Sequence, residues 1–147
     1  MEPGKHTHNG LTIHYDAILP ELKATDPHPL VYGPIADALA EHERKFPFRL
    51  HEFFNHMASS QAANINLFLP ILNSARAEAV LRSVKPDIAD IARNELDRGY
   101  QIEYYDKELN SLGDKNPKTG TDSDMAIAYY NYEGELCLWL IEHKLTE

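Results

Sequence analysis

One cysteine, Cys137, stands in 147 residues. A lone thiol inside an apolar stretch leaves no intrachain disulfide framework and fits a reducing compartment, so the cytoplasm is the expected location. No apolar run approaches the roughly 20 residues that span a bilayer. The polar opening MEPGKHTHNG also lacks the apolar centre of a secretory signal. Membrane insertion and a disulfide-stapled scaffold are therefore both set aside. The chain has no Gly-rich phosphate loop, no G-x-S-x-G, no paired cysteines for zinc and no H-E-x-x-H. That excludes the chemistries those patterns carry. Basic residues are scarce as well, 14 Lys and Arg against 23 Asp and Glu, a formal charge of −9. Such a balance opposes tight binding of a polyanion unless bound cations or basic residues from elsewhere offset it.

The composition that remains is that of a globular chain, with 43% hydrophobic and 25% charged residues, long enough for one domain with a core. Residues 1–33 read as an N-terminal tail and loop. Met1–Gly10 is polar, LTIHY is short and strand-like, and Pro20–Pro34 is rich in proline and polar residues. His6, His8 and His14 alternate in this region, but without a fixed scaffold or a fourth ligand a solvated tail is the expected reading. From residue 34 to 147 the pattern tightens. Pro34 opens a helix to about Lys45 with an Ile35, Ala38, Leu39, His42 stripe. A second helix is predicted over Arg49–Asn64, with Leu50, Phe53, Phe54, Met57 and Ala58 on its core face and Glu52 off it. Asn64–Asn73, broken by Pro70, reads as a buried helix end or kink. Ser74 caps a helix over Ala75–Val84, and Pro86 opens another whose stripe is Ile88, Ile91, Ala92 and Leu96, with Gly99 as its stop.

Three strands follow: Tyr100–Tyr105, Met125–Asn131 and Glu135–Leu145. The expected fold class is α+β, N-terminal helices followed by a three-stranded antiparallel meander. The last two strands organise the chain. A three-residue loop Tyr132-Glu133-Gly134 makes facing positions sum to 266, which sets Asp124 opposite Glu142 with Lys144 on the same side. A two-residue turn would send Asp124 to the other face. Two close carboxylates repel unless a cation lies between them, and a hard ion such as Mg²⁺ takes their oxygens. Such an ion polarises a phosphoryl oxygen and acidifies a bound water, while an ammonium beside it offsets charge on a reacting phosphate. His143 alternates to the opposite face, which favours a structural role for its ring.

Asp124, a hairpin and then Glu142-His143-Lys144 resemble the D…(D/E)-x-K signature of the PD-(D/E)XK nuclease superfamily. GTDSDMAIAYYNYEGELCLWLIEHKLTE and HMASSQAANINLF, at His56–Phe68, look like a bacterial restriction-endonuclease-like group within it. The resemblance implies an αβββ opening and Mg²⁺, or Mn²⁺ in its place, held by Asp124, Glu142 and the carbonyl of His143. It further implies that Lys144 assists the attacking water. Glu52 is the acid such nucleases often add from their first core helix, and a solvated surface Glu is the competing reading. Ser123 stands where the signature has proline. Lys115 and Lys118, in the Asn110–Thr121 loop, either touch a phosphate backbone or solvate the loop. Glu103 either joins the acidic cluster or pairs across strands. Only three residues follow Lys144, where the superfamily continues with a helix and a strand. The expectation is a partial nuclease-like domain whose sheet is completed by a missing C-terminal segment or a partner chain. The implied function is metal-dependent hydrolysis of nucleic acid, DNA foremost, in defence or repair. The alternative is an inactive, truncated interaction module.

Overall fold

The computed structural model describes residues 4–15, 30–51, 54, 57–105 and 123–144. Its elements, in order, are β1 (Gly4–His8), β2 (Leu11–Tyr15), α1 (Gly33–Lys45), α2 (Ser60–Leu72), α3 (Ala77–Leu81), β3 (Ile88–Ile91), β4 (Tyr100–Tyr104), β5 (Ser123–Asn131) and β6 (Leu136–Ile141). The class is α+β with antiparallel pairing, as expected, but the order is richer than helices followed by three strands. A hairpin precedes the helices, and β3 is a fourth strand in the sheet. None of the described helices is long and apolar enough to cross a membrane. Glu52, Phe53, Asn110–Thr121 with Lys115 and Lys118, and residues 20–29 of the Pro20–Pro34 stretch fall outside the described residues.

The chain divides into two compact units, Met1–Leu69 with Lys144–Glu147, and Pro70–His143. In the first unit, Gly4–His8, expected in a loose tail, pairs with Leu11–Tyr15. Asn9 and Gly10 carry φ of 50° and 78°, the left-handed pair that a two-residue I′ turn requires. That Asn-Gly step between two short runs was the available signal. Helix α1 starts with Pro34 in its first turn and buries Ile35, Leu39 and His42. Each such aliphatic side chain removed from water contributes about 2 kcal/mol. It ends where the Phe46 N–H bonds the His42 carbonyl at 2.7 Å, and its last turn holds Arg44 and Lys45, cations placed against the negative end of the helix dipole.

The second helix begins ten residues later than its stripe suggested. Arg49 and Leu50 are non-helical and Met57 is 64% exposed. Ser59 decides the start: its Oγ accepts the Ala62 N–H at 3.2 Å, the cap that serine supplies best. Gln61, buried, then pins the preceding chain with both ends of its amide. It accepts from His51 N and donates to Arg49 O, each at 2.9 Å. Asn66 repeats the device on the approach to α1, accepting from Tyr32 N and donating to Leu30 O at 2.7 Å. The helix continues through Pro70 to Leu72.

In the second unit every strand of the sheet meets β5. Positions Met125 and Ile127 pair with β4 on one side and β6 on the other, and Tyr129 and Tyr130 pair with β3 and β6. So β4 and β3 lie end to end along one edge of β5, and β6 runs along the other. Ala128 marks the junction, donating to Gly99 O at 2.8 Å and accepting from Ala92 N at 2.9 Å. Both faces of β5 are covered: Met125 through Tyr129 are all buried.

The helix expected from Pro86 to Leu96 is instead strand β3 and a turn. Ile88 and Ile91 are β-branched and bury fully against β5, a tertiary gain that outweighs a helical spacing of four residues. Gly99 ends no helix. Its φ is +93°, and a Cβ there would run into Ile91 Cγ2 and lie 3.3 Å from the Ala92 carbonyl oxygen. Helix α3, shorter than the expected Ala75–Val84, packs on β3, and Arg82 beside it donates to the carbonyls of Ile88 and Ala89 at 2.7 and 2.6 Å. Where β3 begins, Lys85 holds both Asp87 oxygens at 2.6 and 2.7 Å, and the Tyr129 hydroxyl donates to Asp87 Oδ2 at 2.7 Å. The Lys85 bond and then the Tyr129 bond keep the Asp87 carboxyl below the ordinary 3.8.

Candidate metal centre

The β5–β6 hairpin has the register that a three-residue loop dictates. Met125 faces Ile141 and Tyr130 faces Leu136, every pair summing to 266. Gly134, at φ +81°, closes the loop, with Asn131 N–H bonded to Glu135 O at 3.0 Å. Carried one residue past β6, the same register sets Asp124 opposite Glu142. Directly opposed antiparallel positions hold their Cβ atoms about 5 Å apart on a common face.

Two neighbouring side chains fasten this end of the hairpin. The Ser123 hydroxyl, 5% exposed, donates to Ile141 O at 2.9 Å and is shared with Met125 O at 3.2 Å. The Asp124 Oδ2 accepts the His143 N–H at 2.6 Å, a short charge-assisted bond. A carboxylate has acceptor sites on both oxygens, and this bond occupies one site on Oδ2. Ser123 stands at the signature's proline position and makes a bond that proline could not. The sequence signalled it only as an irregularity.

Of the sequence-predicted residues, Asp124 is half-buried on β5, Glu142 is exposed just past β6, and His143 is half-buried beside it. These three meet at one hairpin end. Lys144 is exposed and groups with the first unit, and Glu52 lies outside the described residues. Glu103 falls between the pairs Ile102–Met125 and Tyr104–Ser123, hence opposite Asp124 on the β4 side, with φ +54°. That left-handed angle breaks the pleat at the position. Among the described residues, no group of three or more His, Cys, Asp or Glu side chains is gathered as a metal cage. Mg²⁺ does not require one, since it binds through one or two carboxylates and keeps its waters. Two carboxylates and a backbone carbonyl would be an all-oxygen donor set, and by the chemistry of its donors such a set would fit the ion.

Strand β6, drawn from the apolar stretch around Cys137, is an outer strand with Leu136 54% and Leu138 44% exposed. Cys137 is half-buried and free.

A second polar site went unnoticed in the sequence. The turn from β3 to β4 brings Arg93 and Arg98 to one cavity of about 580 Å³, with Asn73, Ser74 and Tyr100 in its wall. Burial pushes the Tyr100 phenol up to about 12, against the opposing pull of the Arg98 charge. No pairwise spacing in the sequence connects residues 73, 93 and 98.

A family model described as Restriction Endonuclease associating with ARP (REase-ARP) matches residues 4–147. No curated relative and no solved structure is similar enough to match.

Proposed function

The chain belongs to this restriction-endonuclease family, and from that premise we propose that its Asp124–Glu142 end carries metal-dependent hydrolysis of a DNA phosphodiester. The observation that supports this most is the hairpin register, which, extended one residue past its last pair, would set two carboxylates opposite each other across adjoining strands. The arrangement corresponds to the D…E-x-K order of PD-(D/E)XK nucleases, with Ser123 in place of the proline. In this reading Asp124 and Glu142 hold Mg²⁺, or Mn²⁺, with the His143 carbonyl as a further ligand. The ion supplies Lewis acidity toward a phosphoryl oxygen and lowers the pKa of a bound water.

The chain's own residues do the rest. Asp124 spends one oxygen on the His143 N–H, which fixes the direction of the backbone whose carbonyl is required. Lys144 orients the attacking water and offsets charge as it builds on the phosphate. Glu52 is a further candidate acid. Water adds across one P–O bond, leaving a phosphate monoester and a hydroxyl.

The test is cleavage of linear duplex DNA in Mg²⁺. Wild type is expected to cut, and Asp124→Ala, Glu142→Ala and Lys144→Ala to lose at least ~10²-fold in rate, the scale on which a positioned catalytic group contributes. Cleavage retained by Lys144→Ala removes the role given to that lysine. Failure of the wild type to cut any nucleic acid with Mg²⁺ or Mn²⁺ leaves the inactive module as the reading.

A further inference from the structure

We infer that the cavity between the β3–β4 turn and the chain entering α3 is a binding site for a phosphate ester of roughly nucleotide size. Its lining places two guanidinium groups, Arg93 and Arg98, with the polar side chains of Asn73 and Ser74, and among the described residues that line it none is a carboxylate. On a chain of net charge −9 most of the surface repels a phosphate, so a concavity lined by two arginines is a distinctive place for one to land. Arginine is also the side chain whose fork best matches phosphate oxygens.

The two arginines are held differently. Arg93 is oriented by Glu78, Nη2 to Oε1 at 2.8 Å, and keeps other donors of its fork. Arg98 makes no ion pair among the described residues and is exposed. The turn that presents it is unusual. Leu96 and Arg98 have φ of 49° and 76°, followed by Gly99 at 93°. Left-handed non-glycine residues persist where the surrounding structure requires them, often at binding sites. Gly99 lets the turn close against Ile91, and Arg93 and Arg98 line the same cavity. On the opposite wall the Ser74 Oγ accepts the Arg76 N–H at 3.1 Å, leaving its hydroxyl proton for a ligand oxygen. The effect of Arg98 and Arg93 on the Tyr100 phenol places both charges near that ring.

Size selects the ligand class. A volume of about 580 Å³ lies within the roughly 300–1,000 Å³ of small-molecule sites, far more than a bare phosphate fills. Leu72 and Ala75 complete an apolar wall for the organic part. Two sources share this chemistry, a free nucleotide and a phosphate of a nucleic-acid strand. Binding here does not depend on Asp124 and Glu142 being catalytic, so it stands or falls apart from the nuclease reading.

The test is calorimetric titration of the full chain, without divalent ions, with a 5′-mononucleotide, its unphosphorylated nucleoside, inorganic phosphate and a short single-stranded oligonucleotide. The variants are Arg98→Gln, Arg93→Gln and, as a charge-matched control on α1, Arg44→Gln, with thermal midpoints to verify folding. The expected result is binding of a phosphate-bearing probe that weakens about tenfold or more in Arg98→Gln, the scale of one lost charge-assisted bond. Arg44→Gln should bind as wild type. Preference for the mononucleotide identifies a free nucleotide as the source, and preference for the oligonucleotide identifies a strand. Equal binding of the nucleoside, no binding of any phosphate probe, or unchanged affinity in folded Arg98→Gln and Arg93→Gln would overturn the assignment.

Discussion

Ser123 and Asp124 are neighbours on β5, yet they reach the adjoining strand by opposite means: one donates to a carbonyl, the other accepts from an amide. The two bonds separate experimentally. Ser123→Ala leaves a part-buried carbonyl short of a partner and should lower unfolding free energy by about 1 kcal/mol, measured by urea denaturation. Asp124→Asn keeps an acceptor for the His143 N–H but removes the charge a cation needs. Its stability should stay near wild type while Mg²⁺-dependent cleavage is lost, whereas Asp124→Ala loses both. If Asp124→Asn cuts normally, the carboxylate charge has no catalytic part. That Asp124, Glu142 and Lys144 stand in a spaced pattern with a chemical reason was legible in the sequence. The clasp was not. A hydroxyl-to-carbonyl bond across 18 positions leaves no mark on local composition.

The elements divide by how local their determinants are. The β5–β6 register followed from the loop length and Gly134 alone, and α1 from Pro34 and a clean apolar stripe. Strand β3 defied the same reasoning, since Ile88 and Ile91 suit a helical face and a strand alike. Only the vacant edge of β5 beyond β4 decides between them. The two glycines make this contrast measurable. At Gly134, φ is +81° with nothing within 4 Å of a new Cβ, so Gly134→Ala should cost about 1 kcal/mol of backbone strain. Gly99→Ala adds a collision with Ile91 to the same strain and should cost about 3 kcal/mol, read from paired denaturation curves. Equal losses would show that the turn relaxes freely.

The Lys85–Asp87–Tyr129 contact ties the start of β3 to β5 in a similarly nonlocal way. Asp87 titrates lower in the fold than its unfolded 3.8, chiefly through the Lys85 bond. Its contribution is therefore present above pH 3.8 and disappears as the pH falls through the lowered folded value. Relative to Asp87→Asn, wild type should lose its stability advantage only in that acid window, as followed by thermal melts against pH.

At the scale of the whole molecule, charge is the controlling quantity. A net −9 allows few simultaneous phosphate contacts, so nucleic-acid affinity should depend only weakly on salt. If Arg93 and Arg98 supply the contacts, log K against log salt should have a slope of about −2 for duplex DNA, since each phosphate contact contributes about −0.9. A slope several times steeper would require a basic surface elsewhere.

The sequence by itself determined what its near-neighbour chemistry could encode: the α+β class, the final hairpin with its register, and the lack of any apolar run long enough to span a bilayer. Tertiary structure alone decided the rest. It turned Ile88–Ile91 into a strand, left β6 on the outside of the sheet, made Ser59 a helix cap, and gathered Asn73, Ser74, Arg93 and Arg98 around one cavity. The physical reason is range. Turn geometry and side-chain alternation act over a few residues, whereas edge pairing and cavity formation depend on which distant segments happen to be left without a neighbour.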